Sequence, residues 1–321
     1  MKGSACLLVL AAALGAASAI GAENYPVRPI RMIIPSGAGG ITDILGRVLA
    51  QKLTESLGQQ VIVDNRPGAS GIIGSQIVAK SAPDGYTLLM VYPSHTVNQS
   101  LYRDIPYDTA KAFAPITMVS AVAPVLIVSS QSPARTMREL IDLAKAKPGA
   151  LNHASLGSGS TSHLTMEMFK AAAGIRMNHV PYKGSPAAHA DLMGGQVPVM
   201  FDAIPAVLPH IKSGKLRGLG IGTLARSPFL PDLPTIADSG YPGFEAVGWI
   251  GIVAPAKTPE AILNKLNAEI VRMLKDPDVK QRLDTLAFTP VGGTRAEFAA
   301  FIKSEIAKWG KAVKASGAKA D

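Results

Sequence analysis

Two stretches carry residues whose types and spacing suit one kind of chemistry. They are Gly37-Ala38-Gly39-Gly40-Ile41-Thr42-Asp43 and Gly157-Ser158-Gly159-Ser160-Thr161-Ser162. Each follows a short strand-like run, Ile30 to Ile34 or Leu151 to Ser155, and each precedes apolar residues at helical spacing. A strand that turns through glycines into a helix start leaves backbone N–H groups without partners, and the helix dipole adds positive potential there. The chemistry is anion capture. Gly37, Gly39 and Gly40 let a ligand approach the backbone closely, so the first loop is read as a carboxylate holder. The second offers hydroxyls as well as amides, and the alternative for it is a flexible turn with a capping serine. Two such loops, one in each half of the chain, could grip one carboxylate between helix N-termini. The expected contacts are Gly39, Gly40, Ile41, Thr42 and Asp43 on one side and Ser158, Ser160, Thr161 and Ser162 on the other. Thr42 could also cap its helix, and Asp43 could serve the dipole instead of a ligand.

Other chemistries are less well supported. Gly37-Ala38-Gly39-Gly40-Ile41-Thr42 looks like a dinucleotide fingerprint, but Thr42 stands where the third glycine belongs. No Gly-Lys-Ser/Thr follows, so the loop is not that of a nucleotide triphosphatase. No Gly-x-Ser-x-Gly elbow surrounds Ser158 or Ser160, which argues against a hydrolase. His95, His153, His163, His179, His189 and His210 lack metal-ligand spacing, and a satisfied structural histidine is the expectation for each. No metal or cofactor is expected.

The elements that must position these loops alternate strand and helix. Ile30–Ile34, Val61–Val63 and Thr87–Val91 read as strands. They end at the first loop, at Asp64-Asn65-Arg66-Pro67-Gly68-Ala69-Ser70-Gly71, and at the polar loop Tyr92-Pro93-Ser94-His95-Thr96. Ligands of open α/β sheets bind at that strand edge, which brings in Tyr92 and Ser94. A second unit starts near Pro124, with strands around Val125–Val128, Leu151–Ser155, Met177–Val180, Val197–Phe201 and Leu216–Ile221. Asp202 closes the fourth of these and is placed to accept a hydrogen bond from a ligand hydroxyl or amine. Tyr92, Tyr182 and Phe201 could wall the cleft or pack in the core. The chain returns to the first unit around Val247–Val253 and ends in amphipathic helices. Thr136-Met137-Arg138-Glu139 and Thr294-Arg295-Ala296-Glu297 have capping-box spacing. The fold class is α/β with largely parallel sheets. The domains are 23–123 plus 247–321 and 124–246.

The chain has 321 residues, 47% of them hydrophobic and 17% charged, which fits a two-domain globular protein. Lys2, the apolar run Leu7–Ala17 and the small residues Ala17-Ser18-Ala19 form a secretory leader, with Ile20-Gly21-Ala22 as a second cleavage site. Residues 1–22 are therefore read as a signal peptide. Cys6, the single cysteine, would leave with it, and the mature chain would carry no disulfide. The full chain's formal charge of +9 is spread over scattered Lys and Arg, which argues for solubility rather than nucleic-acid binding.

These residues resemble the substrate-binding receptors of tripartite tricarboxylate transporters, the Bug-type periplasmic receptors. The matching stretches are Tyr25-Pro26-x-Arg28-Pro29, Gly39-Gly40-Ile41-Thr42-Asp43, Asp64-Asn65-Arg66-Pro67-Gly68-Ala69 and Pro83-Asp84-Gly85-Tyr86-Thr87. Gly157-Ser158-Gly159-Ser160, His179-Val180-Pro181-Tyr182-Lys183-Gly184, Phe201-Asp202, Leu233-Pro234-Thr235 and Trp249 complete them. The resemblance implies a type II-like periplasmic binding fold of two lobes joined by two crossover strands. It implies a small organic carboxylate in the cleft: a di- or tricarboxylate, an aromatic carboxylate or an acidic amino acid. The loops 39–43 and 158–162 would bind it, partly through water, without catalysis. The implied partner is a membrane permease, or a membrane sensor protein as the alternative, with the receptor acting as a monomer. One departure is Ser36-Gly37-Ala38, where the family often has an aromatic residue and prolines.

Overall fold

The computed structural model describes residues 24–316. The leader 1–22 and Cys6 lie outside the described residues. Six strands form one sheet, in the order β11-β4-β10-β3-β1-β2. They are β1 Ile30–Ile34, β2 Val61–Asn65, β3 Thr87–Val91, β4 Phe113–Val122, β10 Gly248–Pro255 and β11 Thr289–Gly292. Five strands form the other, in the order β7-β6-β8-β5-β9. These are β5 Pro124–Ser129, β6 Asn152–Ser155, β7 Asn178–Pro181, β8 Val199–Ala203 and β9 Leu216–Ile221. Each sheet with its helices is one lobe. The chain passes between them at Ala123, the single residue separating β4 from β5, and returns between β9 and β10.

Both sheets are mixed rather than largely parallel. β1 pairs parallel with β2 and β3, and β6 with β7 and β8. β10 runs antiparallel to β3 and β4, and β5 antiparallel to β8 and β9. The cause lies in the crossings. A strand arriving from the other lobe, with no crossover helix, enters its sheet against the local direction. The crossings run side by side: the Gly222 N–H donates to the Pro124 carbonyl and the Ala246 N–H to Gly222, each at 2.8 Å.

Local sequence accounts for most helices. In α1 (Ile41–Leu57), Leu45, Val48, Leu49 and Leu53 are buried on one face, and Gly58 ends it at φ 68°. α2 spans Ile72–Ala79 and α3 Ser94–Leu101. α4 (Met137–Ala146) begins where Thr136 Oγ1 accepts from the Glu139 N–H. α5 is Thr161–Ala173, α6 Ser185–Met193, α7 Ile204–Lys212, α8 Glu260–Leu274, α9 Pro277–Thr285 and α10 Arg295–Ser316. The expected box before α10 also forms: Glu297 N–H donates to Thr294 Oγ1, and Thr294 N–H donates back to Glu297 Oε2 at 2.7 Å. The lobes meet in a small apolar cluster of Val97, Leu101, Leu164, Trp309 and Val313, in which Leu164 comes from α5 and the rest from α3 and α10.

Candidate functional site

The first loop leaves β1 at Ile34 and enters α1 at Ile41. Gly40, not Thr42, is the N-cap, with extended backbone and no side-chain cap. The helix starts one residue before Thr42, which therefore sits in the first turn. The first-turn N–H groups of Ile41, Thr42 and Asp43 have no partner within the helix. Gly37, Ala38 and Gly39 are exposed, and Gly39 takes φ +78°. Asp43 is 3% exposed and turns back on its own loop. Its Oδ2 accepts from the Gly39 N–H at 2.9 Å and from Arg47 Nε at 3.0 Å, and its Oδ1 from Asn65 Nδ2 at 3.0 Å. Burial opposes ionisation, but these bonds and the Arg47 charge hold its pKa below the usual carboxylate range. Asp43 thus braces the loop as an anion neutralised by Arg47.

The second loop joins β6 to α5. Ser160 is the N-cap, its Oγ accepting from the His163 N–H at 3.2 Å. The Gly157 N–H donates to Ser155 Oγ at 3.1 Å, the Ser160 N–H to the Gly157 carbonyl at 3.1 Å, and the Gly159 N–H to His163 Nδ1 at 3.1 Å. The N–H groups of Ser158, Thr161 and Ser162 are left without a bond inside the loop. Ser162 is buried and its hydroxyl donates to the Phe201 carbonyl, so it ties α5 to β8.

A chain of contacts links Pro35, at the start of the first loop, through the β2 loop to the second loop. Tyr92, after β3, donates its phenol to the Pro35 carbonyl at 3.0 Å. The β2 loop crosses the gap: Ser70 Oγ donates to the Ser158 carbonyl at 3.3 Å, while Tyr102 OH donates to Ser70 Oγ at 3.1 Å and Asn98 Nδ2 to the Ser70 carbonyl at 3.0 Å. Gly68, Ala69, Ser70 and Gly71 all have positive φ, a left-handed run unfavourable for Ala and Ser. Leu101 packs so closely on Gly159 that a Cβ there would lie 1.9 Å from Leu101 Cδ2. Ser94, the first residue of α3, is buried beside this network. The expected polar loop at 94–96 is the first turn of that helix.

Phe201, Asp202 and Tyr182 make their contacts within the five-stranded lobe. Phe201 is fully buried and packs edge-on against Phe169, in the core of the five-stranded lobe. Its ring therefore does not wall a cleft. Asp202, 4% exposed, is already engaged: Oδ2 pairs with His189 Nε2 at 2.8 Å and Oδ1 accepts from the Ala203 N–H at 2.8 Å. Half-buried Tyr182 donates to Asp191 Oδ2 at 2.7 Å. Loss of hydration and the Asp191 carboxylate push its phenol up to about 12, so it remains a neutral donor. The sequence reading missed Ser70, Asn98, Tyr102 and Leu101. The glycines flanking Ser70 were the signal for that turn; nothing local marked the others.

Each sheet thus carries a glycine loop that ends at a helix start with unpartnered backbone N–H groups, an arrangement that favours anions. The sequence profile of the tripartite tricarboxylate transporter family receptor matches residues 45–318, and the chain belongs to that family. Protein BugT of Bordetella pertussis is 41% identical over 313 residues, covering 97% of this chain and 96% of its own length. The structure of R. palustris Rpa4515 with adipate superposes with a TM-score of 0.88 at 36% identity, covering 92% of this chain and all of that one. MatC (Rpa3494) from Rhodopseudomonas palustris with bound malate gives a TM-score of 0.84 at 31% identity, covering 90% of this chain and all of that one.

Proposed function

We propose that this protein is an exported receptor that captures a small organic carboxylate between its lobes. It then presents the ligand to the membrane permease subunits of a tripartite tricarboxylate-type transporter. The observation that carries this reading is the junction itself. Ile41, Thr42 and Asp43 on one lobe and Ser158, Thr161 and Ser162 on the other offer N–H groups with no partner in their own loops, while Ser70 and Leu101 of the first lobe hold the second loop against it. Amide nests of this kind favour anions without a cationic side chain. Adipate and malate in the two solved relatives support a dicarboxylate. The chain is divided here into lobes 23–123 plus 247–321 and 124–246, with residues 1–22 removed on export to the periplasm. Differential affinity for the closed arrangement would drive closure.

A thermal-shift panel of adipate, malate, citrate, benzoate and glutamate, with adipamide as the uncharged control, tests the proposal. At a hundred times its Kd, a ligand adds about 2.7 kcal/mol to stability. At least one carboxylate should stabilise the protein and adipamide should not. Stabilisation by adipamide alone would remove the anion reading.

A further inference from the structure

The geometry points to His163 as a positioning residue for the second loop, the counterpart of Asp43 in the first. This rests on the receptor reading above. The two loops are built alike. In each, a glycine with a left-handed backbone, Gly39 at φ +78° or Gly159 at φ +74°, precedes the N-cap residue. In each, that glycine's N–H is held by the side chain four residues further on: Asp43 Oδ2 at 2.9 Å, or His163 Nδ1 at 3.1 Å. Each holder faces a charged side chain one helical turn later, Arg47 at 3.0 Å from Asp43 and Glu167 at 3.6 Å from His163. The device is repeated with an imidazole in place of the carboxylate.

Accepting from the Gly159 N–H requires His163 Nδ1 to be bare, which puts the ring proton on Nε2, the nitrogen facing Glu167. The ring stacks on His179 with centroids 3.8 Å apart. His179 Nε2 lies 2.5 Å from Ser155 Oγ, and that hydroxyl accepts the Gly157 N–H. The stacked imidazoles thus engage both glycines of the loop, and the amides left for a ligand are those of Ser158, Thr161 and Ser162. His153, from β6, and Lys170, from α5, complete the charged and titratable surroundings: Lys170 lies 2.6 Å and His153 3.5 Å from Glu167. A histidine serving only as core volume would need no acceptor at Nδ1.

Three variants separate positioning from packing. His163→Asn sets an amide oxygen near the site of Nδ1. His163→Gln reaches toward the site of Nε2 and lacks that acceptor. His163→Leu keeps bulk with no acceptor at all. Calorimetric Kd is measured with a carboxylate that binds the unmodified protein, alongside the ligand-free melting temperature and the Gly159 amide proton shift by NMR. The Asn variant should bind within about threefold of the unmodified protein, and the Gln and Leu variants about tenfold more weakly, a loss on the scale of hydrogen bonds to a charged group. The Gly159 amide proton should stay downfield only in the unmodified and Asn proteins. If all three variants bind alike, or affinity follows melting temperature alone, His163 is packing and the inference is overturned. If the unmodified protein binds no carboxylate, the receptor reading fails, and the amide shift alone decides whether His163 holds Gly159.

Discussion

The contact between Gly159 and Leu101 turns lobe closure into a measurable quantity. In Gly159→Ala the new Cβ lies 1.9 Å from Leu101 Cδ2 and 3.4 Å from Leu101 Cγ. Carbon atoms settle at about 3.5–4.0 Å, so the Leu101 side chain or the whole lobe must withdraw by roughly 2 Å. Two costs arise. Alanine at φ +74° is strained by about 1–2 kcal/mol whether or not the lobes touch, which lowers the melting temperature but cancels from the binding equilibrium. The overlap is felt only where the lobes meet, and overpacking of this kind costs about 1–3 kcal/mol. Affinity should therefore fall by roughly 5- to 150-fold. Calorimetry on the single variants and on the double variant Leu101→Ala/Gly159→Ala closes a mutant cycle. The double variant should bind within about threefold of Leu101→Ala alone, with a coupling of about 1 kcal/mol or more. Equal losses from Gly159→Ala with and without Leu101 would refute the reasoning. So would a large stability loss with unchanged affinity, since the contact would then be permanent rather than formed on capture.

Three further outcomes are expected. Burial pushes the His95 imidazole down to about 3, whereas it titrates near 6.5 when unfolded. Below about pH 6.5 the unfolded chain takes up a proton that the native chain refuses. The stability due to neutral His95 is complete above that pH and lost on acidification, by up to about 1.4 kcal/mol per pH unit. Urea melts from pH 7.5 to 4 should show a shallower slope in His95→Leu, and identical slopes would exclude His95 as the source. Phe201→Ala should destabilise by about 3–5 kcal/mol, as a cavity in the core does. Lost affinity without lost stability would return that ring to the cleft. Ser70→Ala removes the hydroxyl bond to the Ser158 carbonyl and the acceptor for Tyr102, at about 1 kcal/mol or fivefold in Kd. An unchanged Kd would take Ser70 out of the junction.

What could be read from the chain beforehand follows physical lines. Glycine loops, capping boxes and amphipathic faces are local, so α1, α4, α8 and the starts of α5 and α10 were legible. β4 was not, because Pro115 interrupts an otherwise strand-like run; it pairs with Val253 next to a register shift. Pro290 hid β11 in the same way. α3 opens at Pro93 with Ser94, His95 and Thr96, polar residues that read as loop until packing within their own lobe, with His95 edge-on against Phe113, buries them. The assignment of Phe201 and Asp202 to one cleft overlooked strand alternation. Phe201 shares a face with Val199 in one core cluster, and Met200 lies in another, so neighbours on β8 point to opposite sides. The likeness of Gly39–Asp43 to Gly159–His163 lay in the sequence as a spacing. Its meaning needed the hydrogen bonds that each holder makes.

A crystal structure of the complex with the carboxylate that the thermal panel selects would examine the paired nests most directly. Carboxylate oxygens should lie about 2.7–3.1 Å from N–H groups of both Ile41–Asp43 and Ser158–Ser162. A ligand whose carboxylate sits on side-chain cations, or on one lobe alone with the other loop untouched, would contradict the account.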